Sequence, residues 1–198
     1  MNEVAALYVD VKRGPYASIP DVECWGVAED ATRYAGPWPV VAHPPCAQWG
    51  SLRHLALRDA ATAACGPRAV EQVRAFGGVL EQPKASKLWA FCGLPRPDEL
   101  PDACGGYTIE VQQVAWGHPC RKRTWLYCVG VDRGAVLAGI RTGGTVTHWT
   151  SGTYTPGQRG TVPDGVGVIP PRLRHLTPPA FAAWLVEVAR RSSPGQTR

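Results

Sequence analysis

The sequence predicts an α/β fold: a compact single domain with a Rossmann-like, mainly parallel sheet and flanking helices. Short apolar runs of strand character alternate with helical or turn-forming segments, which favours a parallel sheet. The length of 198 residues suits one domain. Apolar residues make up 44% of the chain and the formal charge is only +5, so we expect a buried core and not a disordered chain.

Six short segments have the apolar, β-branched or aromatic character of strands. Glycine, proline or charged residues close most of them, as is typical of turns. The predicted strands are residues 4–11, 22–27, 39–42, 79–81, 109–114 and 124–131.

Two segments have helical periodicity. The first covers residues 67–76, with a proline in its first turn and two glycines, 77–78, after its last residue. The second has Thr177 as its N-cap and Pro178 as its first residue. The apolar residues of this second helix recur at helical spacing, at Phe181, Trp184, Leu185 and Val188.

These elements predict a core over residues 1–131 and a C-terminal helix, 173–192, that packs on it. Between them, residues 132–172 are rich in Gly, Thr and Pro and show no helical period, so we expect an irregular segment over one end of the sheet. Residues 193–198 are expected to form a frayed tail.

Composition also bears on partners and compartment. No apolar run approaches the roughly 20 residues that cross a bilayer, so no membrane partner is expected. The N-terminus lacks a basic region before its apolar stretch, which favours a cytoplasmic protein. The seven cysteines are odd in number and include no CxxC pair, so neither a disulfide framework nor a metal site is expected.

Four polar or reactive residues each close an apolar run: Asp10, Glu29, Cys46 and Glu81. Ligands of parallel α/β sheets bind at the carboxyl ends of the strands. The sequence therefore predicts one cleft, at one edge of the sheet, into which these residues converge.

Each candidate has two interpretations. Cys46 follows two prolines that stiffen the backbone, so it is either a fixed nucleophile or a capped, buried thiol. Glu81 ends a strand of buried character, so it either binds the ring nitrogen and amine of a heterocycle or pairs with an arginine. The cations at 121–123 either bind phosphate or form a solvated turn.

Taken in chain order, six segments resemble the motifs of the cytosine-C5 DNA methyltransferase family. They run from an acidic residue with a Gly turn, through a Pro-Cys motif, to an Arg-x-Leu-Thr-Pro motif. The segments are 10–14 (DVKRG), 25–34 (WGVAEDATRY), 40–50 (VVAHPPCAQWG), 77–83 (GGVLEQP), 116–130 (WGHPCRKRTWLYCVG) and 171–179 (PRLRHLTPP).

The resemblance implies a transferase that uses S-adenosylmethionine and acts on cytosine in DNA, flipped out of a duplex or single-stranded. Residues 132–172 then correspond to a reduced target-recognition region. The resemblance implies catalytic roles for Cys46, Glu81, Arg121 and Arg123. It implies cofactor contacts at Asp10, Gly14, Glu29 and Asp30, and substrate contacts at Pro45, Gln48, Trp49 and Gln82. Trp49 packs either beside the extruded base or in the core.

Three other functions remain open at this level. The first motif has Lys12, Arg13 and Pro15 in place of a Gly-rich turn, which favours a nucleic-acid-binding relative without a cofactor pocket. Cysteine addition to a pyrimidine is also compatible with another carbon donor or an already modified base. An exocyclic-amine methyltransferase is disfavoured, because Cys46 stands where that class has an aromatic residue.

Overall fold

The computed structural model describes residues 3–50, 53–55, 57, 59–149 and 167–193. Its main sheet contains β1 (Val4–Leu7), β2 (Val22–Trp25), β3 (Val40–Ala42), β4 (Gly78–Pro83), β5 (Tyr107–Gln112) and β6 (Arg123–Val129). The helices are α1 (Ala60–Phe76), α2 (Lys87–Cys92), α3 (Arg133–Ala138), α4 (Pro171–Arg174) and α5 (Pro179–Arg190). Two short strands, β7 (His148–Trp149) and β8 (Gly167–Val168), pair with each other. Short 3₁₀ turns cover Pro15–Ser18, Ala31–Arg33, Arg53–Leu55 and Gln113–Trp116.

The main sheet has the strand order β2-β1-β3-β4-β6-β5. Strands β1, β2, β3 and β4 are parallel to one another, whereas β6 is antiparallel to both β4 and β5. Five strands therefore share one direction and only β6 is reversed. The predicted α/β fold, with a Rossmann-like, mainly parallel sheet and flanking helices, is confirmed.

Both faces of the central strands are covered, which explains why these strands are apolar along their whole length. Every residue of β1 and β3 is buried. Alternate residues of β1 face opposite sides: Val4 and Ala6 belong to the core cluster that includes α5, and Ala5 and Leu7 to the cluster that includes α1. The C-terminal helix thus forms one wall of the core.

The first long helix begins earlier than predicted, at Ala60 instead of residue 67. Asp59 is its N-cap and accepts a hydrogen bond from the backbone N–H of Ala61, and four alanines in the first five residues favour a helix. Pro67 lies inside the helix and not in its first turn. The predicted end before Gly77 is correct, since Gly77 is the C-cap.

Several other boundaries differ from the prediction: β2 ends at Trp25, β4 covers Gly78–Pro83, β5 covers Tyr107–Gln112 and β6 covers Arg123–Val129. The first strand ends at Leu7, because Tyr8 has a positive φ of 61° that is incompatible with a strand. Helix α5 begins at Pro179, one residue after the predicted start. The segment 132–172 contains the short helix α3. Asp132 is its N-cap and accepts a hydrogen bond from the backbone N–H of Ala135. A helix of six residues is too short to show a hydrophobic period in the sequence. Residues 150–166 of that segment and 194–198 of the tail lie outside the described residues.

Gly78, at the start of β4, allows the close approach of β3. Its φ is +110°, and an added Cβ would lie 2.0 Å from the Val40 carbonyl oxygen. We expect Gly78→Ala to lower the free energy of unfolding by at least about 2 kcal/mol, since it combines backbone strain with a clash against rigid backbone. Urea unfolding measures the effect.

Gly105→Ala is the matched control, since Gly105 has a φ of +70° but no atom within 4 Å of an added Cβ. It isolates the cost of the backbone conformation, which we expect to be about 1 kcal/mol. Equal losses in the two variants would contradict the proposed clash at Gly78.

Candidate functional site

Cys46 and Glu81 line one cavity of about 540 Å³, named here the Cys46 cavity. It lies at the carboxyl ends of β1, β3 and β4. Residues 174–177, which precede α5, form another part of its wall. The convergence expected from the strand ends is thus present for the thiol and the carboxyl group.

Cys46 is held by the backbone around it. Its carbonyl oxygen accepts hydrogen bonds from the backbone N–H groups of Trp49 (3.0 Å) and Gly50 (2.7 Å). The Gln82 side-chain amide donates to the Pro44 carbonyl oxygen at 2.5 Å and so ties the Pro-Pro-Cys segment to β4. The thiol is partly buried, and burial together with the charge of Glu81 raises its pKa, while Lys122 opposes this effect. The free thiol therefore keeps its proton at neutral pH.

Glu81 is the centre of a buried hydrogen-bond network. His43 Nδ1 lies 3.1 Å from Oε2, and the Gln113 amide donates to Oε1 at 2.9 Å. On its far side, His43 Nε2 lies 2.6 Å from the Tyr16 hydroxyl. Burial alone would raise the pKa of Glu81, but the hydrogen bonds from His43 and Gln113 and the charge of Lys122 hold it below its usual value. Glu81 is therefore a carboxylate near neutral pH.

Of the three consecutive cations at 121–123, only Lys122 lines the Cys46 cavity. Its Nζ donates to the Leu176 carbonyl oxygen at 2.9 Å, which ties the start of β6 to the segment before α5. Arg123 instead forms an ion pair with Glu110 on β5. Arg121 lines a separate surface hollow together with Arg141. The structure does not bring Arg121 or Arg123 to Cys46.

A second, larger cavity of about 1130 Å³ adjoins the first and is named here the Glu29 cavity. It lies between the carboxyl ends of β1 and β2 and the first half of α1. Glu29 accepts a hydrogen bond from the Gly26 N–H at 3.0 Å, and Asp30 caps the following turn by accepting from the Thr32 N–H. Four residues line both cavities: Tyr8, Val9, Asp10 and Pro45.

The proposed cofactor residues are divided between the two cavities. Asp10, Glu29 and Asp30 line the Glu29 cavity, whereas Gly14 lines only the Cys46 cavity. Asp10 Oδ1 accepts from the backbone N–H groups of residues 12 and 13, which closes its own turn. A Cβ on Gly14 would lie 2.4 Å from the Asp10 carbonyl oxygen, so this turn requires a glycine.

The proposed substrate residues also differ in position. Pro45 and Gln82 line the Cys46 cavity, but Gln48 and Trp49 do not. Gln48 donates its side-chain amide to the Leu57 carbonyl oxygen at 2.6 Å. Trp49 packs against Phe91, with ring centroids 5.1 Å apart, and against α1 at Gly66. Of the two alternatives for Trp49, packing in the core therefore agrees with its position.

Tyr16, His43 and Gln113 were not among the candidate site residues predicted from the sequence. All three contribute to the network around Glu81. Gln113 carried a usable signal, because it lies in an apolar run and a buried amide requires partners. Tyr16 carried no such signal, since it lies in a Pro-rich turn after β1.

No known family model matches the sequence, and no curated protein matches it. Within the described ranges, no group of three or more His, Cys, Asp or Glu side chains is arranged to hold a metal ion. None of the helices in that part of the chain is long and apolar enough to cross a membrane. The seven cysteines are free thiols. The fold and the two adjoining cavities thus define a Rossmann-like domain with a candidate active site at its carboxyl-terminal sheet edge.

Proposed function

We propose that this protein is a DNA cytosine-C5 methyltransferase that acts through addition of Cys46 to the base. The observation that carries the proposal is that Cys46 and Glu81 line one cavity that adjoins a second, larger one. A group transfer needs an acceptor and a donor side by side, and the shared wall at Tyr8, Val9, Asp10 and Pro45 provides this contact.

The chemistry requires covalent activation because carbon 5 of cytosine is a poor nucleophile. The Cys46 thiol releases its proton to water as its sulfur adds to C6, the C5=C6 electron pair shifts toward N3, and N3 takes a proton from water. The Glu81 carboxylate accepts a hydrogen bond from the N4 amino group and stabilises the charge that develops on the ring. Carbon 5 becomes enamine-like and nucleophilic. After transfer, the C5 proton passes to water, the Cys46 sulfur leaves with the electron pair of the S–C6 bond and regains a proton, and N3 loses its proton, which restores the aromatic ring.

The residues of the Glu29 cavity fit a nucleoside-containing donor. Glu29 and Asp30 follow β2, where a carboxylate can accept hydrogen bonds from ribose hydroxyls. Val27 is fully exposed on the wall of this cavity and offers an apolar contact for an adenine ring. S-adenosylmethionine, when bound, would supply an electrophilic methyl group to carbon 5.

DNA is the proposed partner, since a flipped base brings its phosphates to the rim of the pocket that receives it. The Cys46 cavity is lined by Arg13, Lys122 and Arg174, and the whole chain carries a formal charge of +5. These cations can bind the phosphates on either side of an extruded nucleotide.

A second candidate function is nucleic-acid binding without methyl transfer. It is favoured by the position of Gly14, which lines the Cys46 cavity and not the proposed donor cavity. A third candidate keeps the addition of Cys46 to a pyrimidine but uses another donor. Neither of these two functions requires the Glu29 cavity to bind S-adenosylmethionine.

The direct test is methyl transfer to DNA of mixed sequence, offered in both single- and double-stranded form. The protein is incubated with methyl-labelled S-adenosylmethionine, the DNA is digested to nucleosides, and the labelled nucleoside is identified by chromatography. We expect label in 5-methylcytosine. Label in N4-methylcytosine or N6-methyladenine, or no label in DNA, would contradict the proposal.

Donor binding predicts a thermal shift that depends on Glu29. At 100 times its dissociation constant, S-adenosylmethionine should stabilise the folded protein by about 2.7 kcal/mol. We expect Glu29→Gln to weaken binding roughly tenfold, because hydrogen bonds from ribose to a charged acceptor are lost. Melting curves over a range of ligand concentrations measure both effects.

Glu187→Gln is the control, since Glu187 lies on the exposed side of α5 and pairs with Arg190. It should bind the donor as the wild type does. If S-adenosylmethionine leaves the wild-type melting temperature unchanged, the cofactor-independent functions gain support.

A further inference from the structure

A surface groove of about 570 Å³ lies at the same edge of the sheet as the Cys46 cavity and is named here the Trp125 groove. Its walls come from the turn after β4, from α2, from residues 96–98 and from β5 and β6. Pro83, the last residue of β4, lines the Cys46 cavity, and the next residue, Lys84, lines the groove. The end of β4 is therefore a rim that separates two neighbouring sites.

Trp125 gives the groove a flat aromatic surface with a fixed orientation. The residue is partly exposed, and its Nε1 donates to Glu110 Oε2 at 3.1 Å. Its ring packs at a steep angle against the ring of Trp89, with centroids 5.5 Å apart. Trp89 is itself buried and donates from Nε1 to the Thr108 hydroxyl at 2.9 Å. A partly exposed indole that is held in this way is a platform on which an unpaired base can stack.

The charges around this platform suit a ligand that carries phosphate. Three cations line the groove: Lys84, Lys87 and Arg96. Lys84 pairs with Glu110 at 3.2 Å, so the charge of that carboxylate is compensated. Lys87 and Arg96 are exposed, and within the part of the chain that the structure describes neither forms an ion pair. Asp98 is the other acid that lines the groove.

We propose that the Trp125 groove binds an unpaired nucleotide next to the target cytosine, so that the protein acts on single-stranded DNA in preference to a duplex. This inference rests on the proposed function for its partner and names the form of that partner. The base stacks on Trp125, and Lys87 and Arg96 bind the phosphates beside it. Asp98 can accept a hydrogen bond from a base amino group. In a duplex the neighbouring base remains paired and stacked, so it cannot reach the indole.

The first test compares the two forms of DNA. Fluorescence anisotropy measures binding of a short labelled single strand of mixed sequence, and of the same sequence as a duplex, without S-adenosylmethionine. We expect the wild type to bind the single strand at least about tenfold more tightly, because only unpaired bases can stack on the indole. Trp125→Leu removes the stacking surface and should weaken single-strand binding roughly tenfold or more, with duplex binding unchanged.

The phosphate contacts are tested by Lys87→Gln and Arg96→Gln, which alter only exposed side chains. For single strands, the slope of log K against log salt concentration is about −0.7 per phosphate contact. Each variant should therefore reduce the magnitude of the slope by about 0.7. Arg191→Gln is the matched control, since Arg191 is also exposed but is the C-cap of α5, close to the hydrogen bond from Ser193 to Gly130 at the opposite edge of the sheet. It should keep the wild-type slope.

Methyl transfer gives a second measurement. The groove holds a nucleotide that does not react, so it should bind the substrate and the transition state equally well. Trp125→Leu should therefore raise the KM for single-stranded DNA roughly tenfold and leave kcat unchanged.

These measurements separate failure of the groove from failure of the proposed function. Equal wild-type affinity for the two forms of DNA, or single-strand affinities and salt slopes that are the same in all variants, would overturn the groove site. Methylation of cytosine by the wild type in that case would leave the proposed function intact. Single-strand binding that depends on the groove, without any methyl transfer, would support the groove and contradict the proposed function. If Trp125→Leu does not fold, the salt slopes of Lys87→Gln and Arg96→Gln decide.

Discussion

Cys46→Ser should abolish the covalent adduct with DNA that contains 5-fluorocytosine. The fluorine cannot leave as a proton does, so wild-type enzyme with S-adenosylmethionine is held at the stage where sulfur is bonded to C6. A serine hydroxyl is a far weaker nucleophile at neutral pH, and we expect methylation to fall by at least roughly 10³-fold. Denaturing gels detect the adduct, and peptide mass spectrometry locates it on the chain.

Folding should be little affected, because Cys46 is only partly buried and its backbone hydrogen bonds do not involve the thiol. Cys92→Ser is the matched control: Cys92 is also partly buried but lines neither cavity. This variant should form the adduct as the wild type does. An adduct that persists in Cys46→Ser would assign the nucleophile to another residue.

That Cys46 and Glu81 line the same cavity could be predicted, because this follows from the direction of the strands alone. Both residues follow short apolar runs, and parallel strands end at the same edge of a sheet. The sequence also places β3 and β4 on either side of α1, the connection that makes neighbouring strands parallel. No knowledge of side-chain contacts was needed.

The cations at 121–123 could not be assigned in this way, because β6 runs in the opposite direction. Arg121 and Lys122 precede β6, and Lys122 has a positive φ of 32°, so the three side chains do not follow the simple alternation of a strand. Arg123 opposes Gln112 of β5 and pairs with Glu110 on the same strand. Nothing in the local sequence shows which side faces the cavity, since that depends on where β6 enters the sheet.

The network around Glu81 was hidden from the sequence for a different reason. Its hydrogen bonds join residues 27, 38 and 32 positions apart, from the turn after β1, the end of β3 and the turn after β5. Such contacts depend on the packing of the whole sheet and leave no periodic pattern. The early start of α1 was missed because the signal of Pro67 obscured the N-cap at Asp59.

Glu81→Gln should lower methylation by roughly 10²- to 10³-fold, because the neutral amide cannot stabilise the charge that develops on the ring. It should also change the reactivity of Cys46. The charge of Glu81 helps to raise the pKa of the Cys46 thiol, so its removal should lower that pKa. The fraction of thiolate at neutral pH then rises, and alkylation of Cys46 by iodoacetamide should be faster in the variant.

Glu110→Gln distinguishes loss of a catalytic carboxylate from loss of a structural one. Glu110 is a partly buried carboxylate of the same sheet that pairs with Lys84 and Arg123, and it lines neither cavity of the candidate site. It should lose stability without losing kcat. Glu81→Gln should lose kcat with only about 1–3 kcal/mol of stability, since the amide oxygen still accepts one of the two hydrogen bonds from His43 and Gln113. Unfolding of Glu81→Gln at ordinary temperature would instead assign Glu81 a purely structural ion pair with His43. Faster alkylation together with lost methylation would place the defect in the reaction of the base and not in the folding of the chain.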